Sequence, residues 1–310
     1  VFDETNVPKY SMKIFGSGLY PYEYKFKYPK AGEKNSILDL KIYNLESERT
    51  NSIDFNISKN DFYYIPRLKF SNYSSKLYIQ SLNRLQNKLM LSSYDLDLGI
   101  IKTVIEEKDE TYLNIQEKIC FLENDNFLWI SDRDGFDHIY LVESNGKKIR
   151  QITYGKWDVD KLLGVDKNTI YYTSTEDNSI ERVIYSISLN GKNKKVLSPK
   201  SGYNGASFTS NYKYFIHTFE DSNTPIIYSL RESKSGNLVR KIMDNNELLE
   251  KLKPYSLSPK EFSEVNINGE KLNMWMIKPT NFNHEKKYPL LIYQYSGPGS
   301  QEVKNRWNSN

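Results

Sequence analysis

The chain has 310 residues, with 43 Lys and Arg against 39 Asp and Glu and a net charge of +4. Charged residues at 26% and hydrophobic residues at 38% fit a folded soluble protein rather than a disordered one. The small charge excess is spread along the chain, so nucleic acid is not an expected partner. No apolar run approaches the ~20 residues of a membrane helix.

Aromatic residues are unusually frequent, with 25 Tyr, 14 Phe and 4 Trp. Alanine, the best helix former, occurs only as Ala31 and Ala206. Because Tyr, Phe, Ile and Thr favour the half-buried surface of a sheet, the composition predicts a mainly β protein.

Short aromatic and β-branched runs recur along the chain at intervals of ~40–50 residues, the size of a propeller blade. They are Leu77–Ser81, Leu128–Ser131, Tyr171–Ser174 and Phe215–Thr218. The last three are each followed by a second strand-like run, at Ile139–Val142, Ile184–Ile187 and Ile227–Leu230. A β-sandwich would have similar strands without a fixed period, so we expect an incomplete β-propeller with too few units for a closed ring.

Hairpin turns are predicted at Asp134-Gly135, Asn145-Gly146 and Asn190-Gly191, because Asp-Gly and Asn-Gly between apolar runs are the strongest short-range hairpin signal.

The pattern changes near residue 244. A helix is predicted over 244–252, ending at Pro254, followed by strands over 262–267 and 272–277 that flank Asn268-Gly269. An apolar run, Tyr288–Tyr295, predicts a buried strand that leads directly into the loop Ser296–Ser300. We therefore place a domain boundary near residue 255, between a propeller over 1–254 and a second domain that starts at 255–310.

The spacing of Asp132, Asp134, Asp137 and His138 is compatible with a metal cluster, but a hairpin turn with Asp-Gly at its tip is the favoured interpretation. No metal or cofactor is therefore predicted. His138, His217 and His284 are candidate general bases without a nearby activated nucleophile, so each is expected to be structural or solvated. Cys120 is the single cysteine of the sequence, which excludes an internal disulfide, and it is expected to be a small buried core residue.

The segment Lys286–Gln301 resembles the opening of the catalytic domain of the dipeptidyl peptidase IV family, which belongs to the prolyl oligopeptidase group of serine peptidases. Other segments resemble that family's propeller in the same order: Tyr28–Asn35, Tyr64–Arg67 with Leu82–Asn87, and Ser131–Tyr140. The resemblance thus covers nearly the whole chain.

The resemblance implies a β-propeller stacked on an α/β-hydrolase domain, with the active site in the cavity between them. The implied reaction releases an N-terminal dipeptide whose second residue is Pro, or less readily Ala, by Ser-His-Asp chemistry through an acyl-enzyme. The nucleophile elbow G-x-S-x-G does not occur in the sequence, and the family places its triad beyond Asn310. Its paired glutamates would lie before Val1, so this chain alone is expected to be inactive.

Tyr295 matches the family's tyrosine whose hydroxyl helps to form the oxyanion hole; the alternative is a core tyrosine in a tyrosine-rich chain. Gln301, on the same loop, either lines the substrate cavity or is an ordinary loop glutamine. Tyr112 lies near where the family contributes propeller side chains to the cavity, but its local match supports no named role.

Three hypotheses follow: a dipeptidyl peptidase IV-like serine exopeptidase, a non-catalytic propeller that serves as a binding module, and another endopeptidase of the prolyl oligopeptidase type. By analogy with the family, we also expect a homodimer and a periplasmic or cell-surface location.

Overall fold

The computed structural model describes residues 1–53, 62–295, 297 and 299–307, and within them the chain is mainly β. The strands up to residue 121 are β1 Phe2–Asp3, β2 Lys9–Ile14, β3 Tyr22–Lys27, β4 Ile37–Leu38, β5 Leu40–Asn44, β6 Arg49–Ile53, β7 Phe62–Phe70, β8 Lys76–Asn83, β9 Lys88–Asp95, β10 Ile101–Lys108 and β11 Cys120–Phe121. Those that follow are β12 Phe127–Ser131, β13 His138–Val142, β14 Ile149–Gln151, β15 Val159–Asp166, β16 Thr169–Ser174, β17 Val183–Ser188, β18 Lys195–Val196, β19 Tyr203–Phe208, β20 Tyr214–Asp221, β21 Thr224–Glu232 and β22 Leu238–Met243. Helix α1 (Asn246–Leu252), a 3-10 turn (Lys253–Tyr255) and strands β23 (Lys260–Ile267) and β24 (Glu270–Ile277) complete the elements.

Four sheets of the described residues contain four strands each, and in each sheet neighbouring strands are consecutive in the chain. They comprise β7–β10, β11–β14, β15–β18 and β19–β22. The four runs that define the sequence repeat form β8, β12, β16 and β20, the second strand of each sheet. The predicted repeat is therefore confirmed as a series of four-stranded units.

The middle strands of the sheets β7–β10, β11–β14 and β15–β18 form most of the core. In β16, every residue from Ile170 to Ser174 is buried. Because successive side chains of a strand point to opposite faces, unbroken burial means that both faces of the sheet are covered. The sequence shows this as continuous apolar and aromatic runs rather than strict alternation.

The described residues divide into two compact units, one of residues 1–127 with 142–148 and the other of residues 128–141 with 149–310. The first contains a hydrophobic cluster of Ile53, Leu77, Ile79 and Met90. The second contains a cluster of Tyr171, Ile184, Leu197 and Phe215. The predicted domain boundary near residue 255 falls inside the second unit and stays a prediction.

The predicted Asn-Gly and Asp-Gly turns are present. At Asn190-Gly191, the Gly191 N–H donates to the Ser188 carbonyl at 2.8 Å, and the Asn190 side chain accepts from the Lys192 N–H at 2.9 Å. Gly191 has φ +79°, a left-handed conformation that glycine adopts at no steric cost. The turn chemistry that sequence reasoning used is thus the chemistry that joins the strands.

After residue 244 the predicted helix and hairpin are confirmed, but the predicted buried strand Tyr288–Tyr295 is wrong. This segment forms no strand, and Leu291 is 92% exposed. A buried strand needs neighbours that accept and donate its backbone hydrogen bonds, and no described strand pairs with this run. Its apolar side chains therefore remain on the surface.

None of the helices in the described part of the chain has the length and apolar character that crossing a bilayer requires.

Candidate active-site loop and its anchor

Tyr295, the predicted oxyanion-hole residue, lies in the irregular segment before Gly297 and is 63% exposed. Its ring covers the backbone of Gly297: a Cβ on that glycine would lie 2.8 Å from the tyrosine Cε1 atom. Any larger residue at position 297 would push the ring aside. Among the described residues, none forms a hydrogen bond with the Tyr295 hydroxyl.

The chain turns tightly after Tyr295. The Ser300 N–H and hydroxyl both donate to the Gly297 carbonyl, at 3.1 and 2.7 Å. Gly299 has φ +70°, in the left-handed region that favours glycine. Ser296 and Pro298 of this predicted loop lie outside the described residues.

Gln301 ends this turn and is held by hydrogen bonds to protein. Its Oε1 accepts from Arg182 Nη2 at 2.8 Å, and its Nε2 donates to the carbonyls of Ser179 at 2.8 Å and Val303 at 3.0 Å. Both amide hydrogens are therefore engaged. Its predicted role in lining the substrate cavity stays a prediction.

Arg182, which holds Gln301, is itself buried and donates four hydrogen bonds, one of them to Gln301. Its Nε donates to Asp160 Oδ1 at 2.6 Å, and its Nη1 donates to the carbonyls of Ser179 and Glu181. A buried guanidinium is tolerated because a carboxylate and several oxygens replace its water. It lies in the loop directly before β17.

Asn305 and Arg306 attach the same segment to two further points. The Asn305 N–H donates to the Ile180 carbonyl at 2.8 Å. The Asn305 side chain donates through Nδ2 to Glu181 Oε1 and accepts through Oδ1 from the Ser222 N–H, each at 3.0 Å. Arg306 Nε donates at 2.6 Å to Glu220, a buried carboxylate of β20. Residues 301–306 are called the anchor segment below.

Tyr203 lies between the two arginines, with Arg182 at 5.5 Å and Arg306 at 4.9 Å from its ring centroid. Burial raises the pKa of Tyr203, and the Asp160 carboxylate adds to this, while the two arginines oppose it. Tyr203 therefore stays neutral and presents its ring face to both cations.

Sequence reasoning missed Asp160, Arg182, Tyr203 and Glu220. Its one available signal was a charged residue, Arg182, placed directly against the apolar run of β17. Such a residue needs a partner, but the sequence does not say which.

The acidic cluster considered as a metal site is a turn. The Gly135 N–H donates to the Asp132 carbonyl at 2.7 Å, and Asp134 accepts from Gln151. His138 is fully buried, with Nε2 at 3.0 Å from the Gly155 carbonyl and Nδ1 at 3.0 Å from Thr153 Oγ1. No group of three or more His, Cys, Asp or Glu side chains in the described part of the chain is placed to hold a metal ion.

The other candidates are structural or surface residues. His217 is buried between Asn204 and Arg231, and His284 lies on the surface against Phe282. Cys120 is buried, and its burial raises the pKa of the thiol, as expected of an inert core cysteine. Tyr112 is partly exposed, and its N–H donates to Asp109 at 3.2 Å.

The chain is similar to known peptidases along almost its whole length. Residues 1–226 match the family model described as the dipeptidyl peptidase IV N-terminal region. A dipeptidyl peptidase 4 of Trichophyton rubrum is 33% identical across 99% of this chain, and a probable dipeptidyl-aminopeptidase B of Phaeosphaeria nodorum is 29% identical across 98%.

The crystal structure of Porphyromonas gingivalis dipeptidyl peptidase 4 superposes with a TM-score of 0.92, at 38% identity over 99% of this chain. The chain covers 44% of that structure and 42% of the Trichophyton rubrum protein, less than half of either. The family model, the similar sequences and the fold agree: this chain belongs to the dipeptidyl peptidase IV family.

Proposed function

We propose that the full-length product of this gene is a serine exopeptidase that releases N-terminal X-Pro dipeptides, and X-Ala dipeptides less readily. The observation that carries the proposal is the 38% identity to Porphyromonas gingivalis dipeptidyl peptidase 4 over 99% of the chain. A nucleophilic serine with a His base and an Asp orienter would act through an acyl-enzyme. In this mechanism Tyr295 donates a hydrogen bond to the oxyanion.

The same proposal gives the architecture. The four-stranded sheets are blades of a β-propeller over residues 1–254, and residues 255–310 begin an α/β-hydrolase domain with the hairpin β23–β24.

Chromogenic dipeptide substrates test the function. We expect the full-length protein to cleave Gly-Pro-p-nitroanilide and, more slowly, Ala-Ala-p-nitroanilide, and to leave succinyl-Gly-Pro-p-nitroanilide uncut because an exopeptidase of this kind requires a free amino terminus. We expect no cleavage by purified residues 1–310, which lack a G-x-S-x-G elbow. Turnover of the blocked substrate would instead identify a prolyl oligopeptidase-type endopeptidase.

The alternative is a non-catalytic propeller that binds peptides. A folded full-length protein that binds an X-Pro peptide without cleaving it would support this alternative over the exopeptidase. The exposed Tyr295, directly before Ser-Gly-Pro-Gly, favours the enzyme, because a binding module has no need for a hydrogen-bond donor at this position.

We also propose a homodimer, located in the periplasm or at the cell surface. The hairpin β2–β3 has one apolar face, where Tyr10 pairs with Phe26 and Met12 with Tyr24. Tyr24 remains 50% exposed, while the opposite face carries lysines. A second copy would cover this face through a two-fold interface.

Introducing charge on the apolar face tests the dimer. We expect Tyr24→Lys to convert the dimer to monomer in sedimentation velocity, because it buries an unpaired ammonium group. Ser11→Lys, which adds the same charge to the opposite face, is the matched control and should stay dimeric. Equal behaviour of the two variants would place the interface elsewhere.

A further inference from the structure

We propose that Gln301 and Arg306 are positioning residues for Tyr295: they clamp the anchor segment to the loop before β17 and to β20, which fixes the segment that follows the tyrosine. This inference rests on the proposed function, because it assigns Tyr295 to the oxyanion. It differs from a substrate-contact role for Gln301, since the side chain acts through another residue.

The geometry supports a clamp because the contacts converge from two sheets. Gln301 binds the loop before β17 through Arg182 and Ser179, whereas Arg306 binds the end of β20 through Glu220. Arg182 and Glu220 are both buried and therefore fixed in place. Two attachment points on separate sheets define the position and the direction of the segment.

Few links separate the clamp from the tyrosine. Gln301 follows Tyr295 by six positions, and between them the Ser300 N–H and hydroxyl both donate to the Gly297 carbonyl. The Tyr295 ring lies on Gly297 itself. A shift of the anchor segment would therefore move the glycine on which the ring rests, and small misplacements of a catalytic group are costly.

Hydrogen exchange tests the clamp without any reference to catalysis. In residues 1–310, we expect Gln301→Leu and Arg306→Met each to speed exchange of the Asn305 amide by about tenfold, since it is held by the segment's contact with Ile180. Gln151→Leu and Arg150→Met remove side-chain hydrogen bonds far along the chain and are the matched controls. Unchanged exchange in both anchor variants would overturn the clamp.

Kinetics of the full-length enzyme tests the link to Tyr295. We expect each anchor variant to lower kcat for Gly-Pro-p-nitroanilide about tenfold with KM nearly unchanged. In a Tyr295→Phe background the same substitutions should change kcat less than about twofold, because the group they position is gone.

Gln301→Leu leaves Arg182 with an unpaired donor, so Arg306→Met, whose side chain is half exposed, provides the second and milder variant. A higher KM for Gln301→Leu that persists in the Tyr295→Phe background would overturn the positioning role in favour of direct substrate contact. If the unmodified full-length protein shows no peptidase activity, the proposed function and the positioning role both fail. The hydrogen-exchange data still test whether Gln301 and Arg306 hold the anchor segment in place.

Discussion

Tyr295→Phe in the full-length enzyme is expected to lower kcat for Gly-Pro-p-nitroanilide by about 10²–10³-fold and to leave KM nearly unchanged. The substitution removes only the hydroxyl of a residue that is 63% exposed at the end of the apolar run. An oxyanion donor acts on charge that develops in the transition state, so its loss appears in kcat rather than in substrate binding.

The neighbouring Tyr293→Phe is the matched control. Tyr293 is exposed in the same irregular segment and loses the same hydroxyl, so it should retain full activity. Steady-state kinetics of both variants, with circular dichroism to check folding, gives the comparison. If Tyr295→Phe kept more than about half of the wild-type kcat, the oxyanion role would be lost.

The parts of the fold that sequence reasoning predicted are those encoded locally. The strand over Thr169–Ser174 and the turn at Asn190-Gly191 each depend on a few adjacent residues, whose side-chain pattern and backbone preferences favour one conformation.

The anchor could not be predicted because its residues are far apart in sequence. Arg182 and Gln301 are separated by 119 positions, and no local sequence pattern near either residue identifies the other as its partner. The strand prediction for Tyr288–Tyr295 failed for a related reason. The apolar residues of this run indicate that burial would be favourable, but strand formation also depends on neighbouring strands from other parts of the chain. Long-range pairing is therefore the information missing from a single sequence.

His217 is expected to make the stability of the chain depend on pH between about 4 and 6.5. Its Nε2 donates to Asn204 Oδ1 at 2.8 Å, and its Nδ1 accepts from Arg231 Nε at 3.1 Å. Burial, and to a smaller extent the positive charge of Arg231, lower the pKa of His217 to about 4. Protonation would place a second proton and a second positive charge against the guanidinium.

The direction of this pH dependence follows from the protonation of His217 in the folded and unfolded states. The unfolded chain, with an ordinary histidine pKa of about 6.5, binds a proton in this range while the folded chain does not. The free energy of unfolding should therefore fall as the pH drops, by about 1.4 kcal/mol per pH unit and about 3 kcal/mol in total. Above pH 6.5 the contribution is fully present.

Urea unfolding of residues 1–310 from pH 4 to 7.5 measures this effect against His217→Gln. Glutamine can still donate to Asn204 and accept from Arg231 but does not titrate, so the variant should lose most of the pH dependence between 4 and 6.5. The surface variant His284→Gln is the matched control and should follow the wild-type curve. A His217→Gln curve parallel to the wild type would mean that other groups, such as carboxylates, cause the acid sensitivity. The difference between the two curves isolates His217, because every other titrating group is common to both proteins.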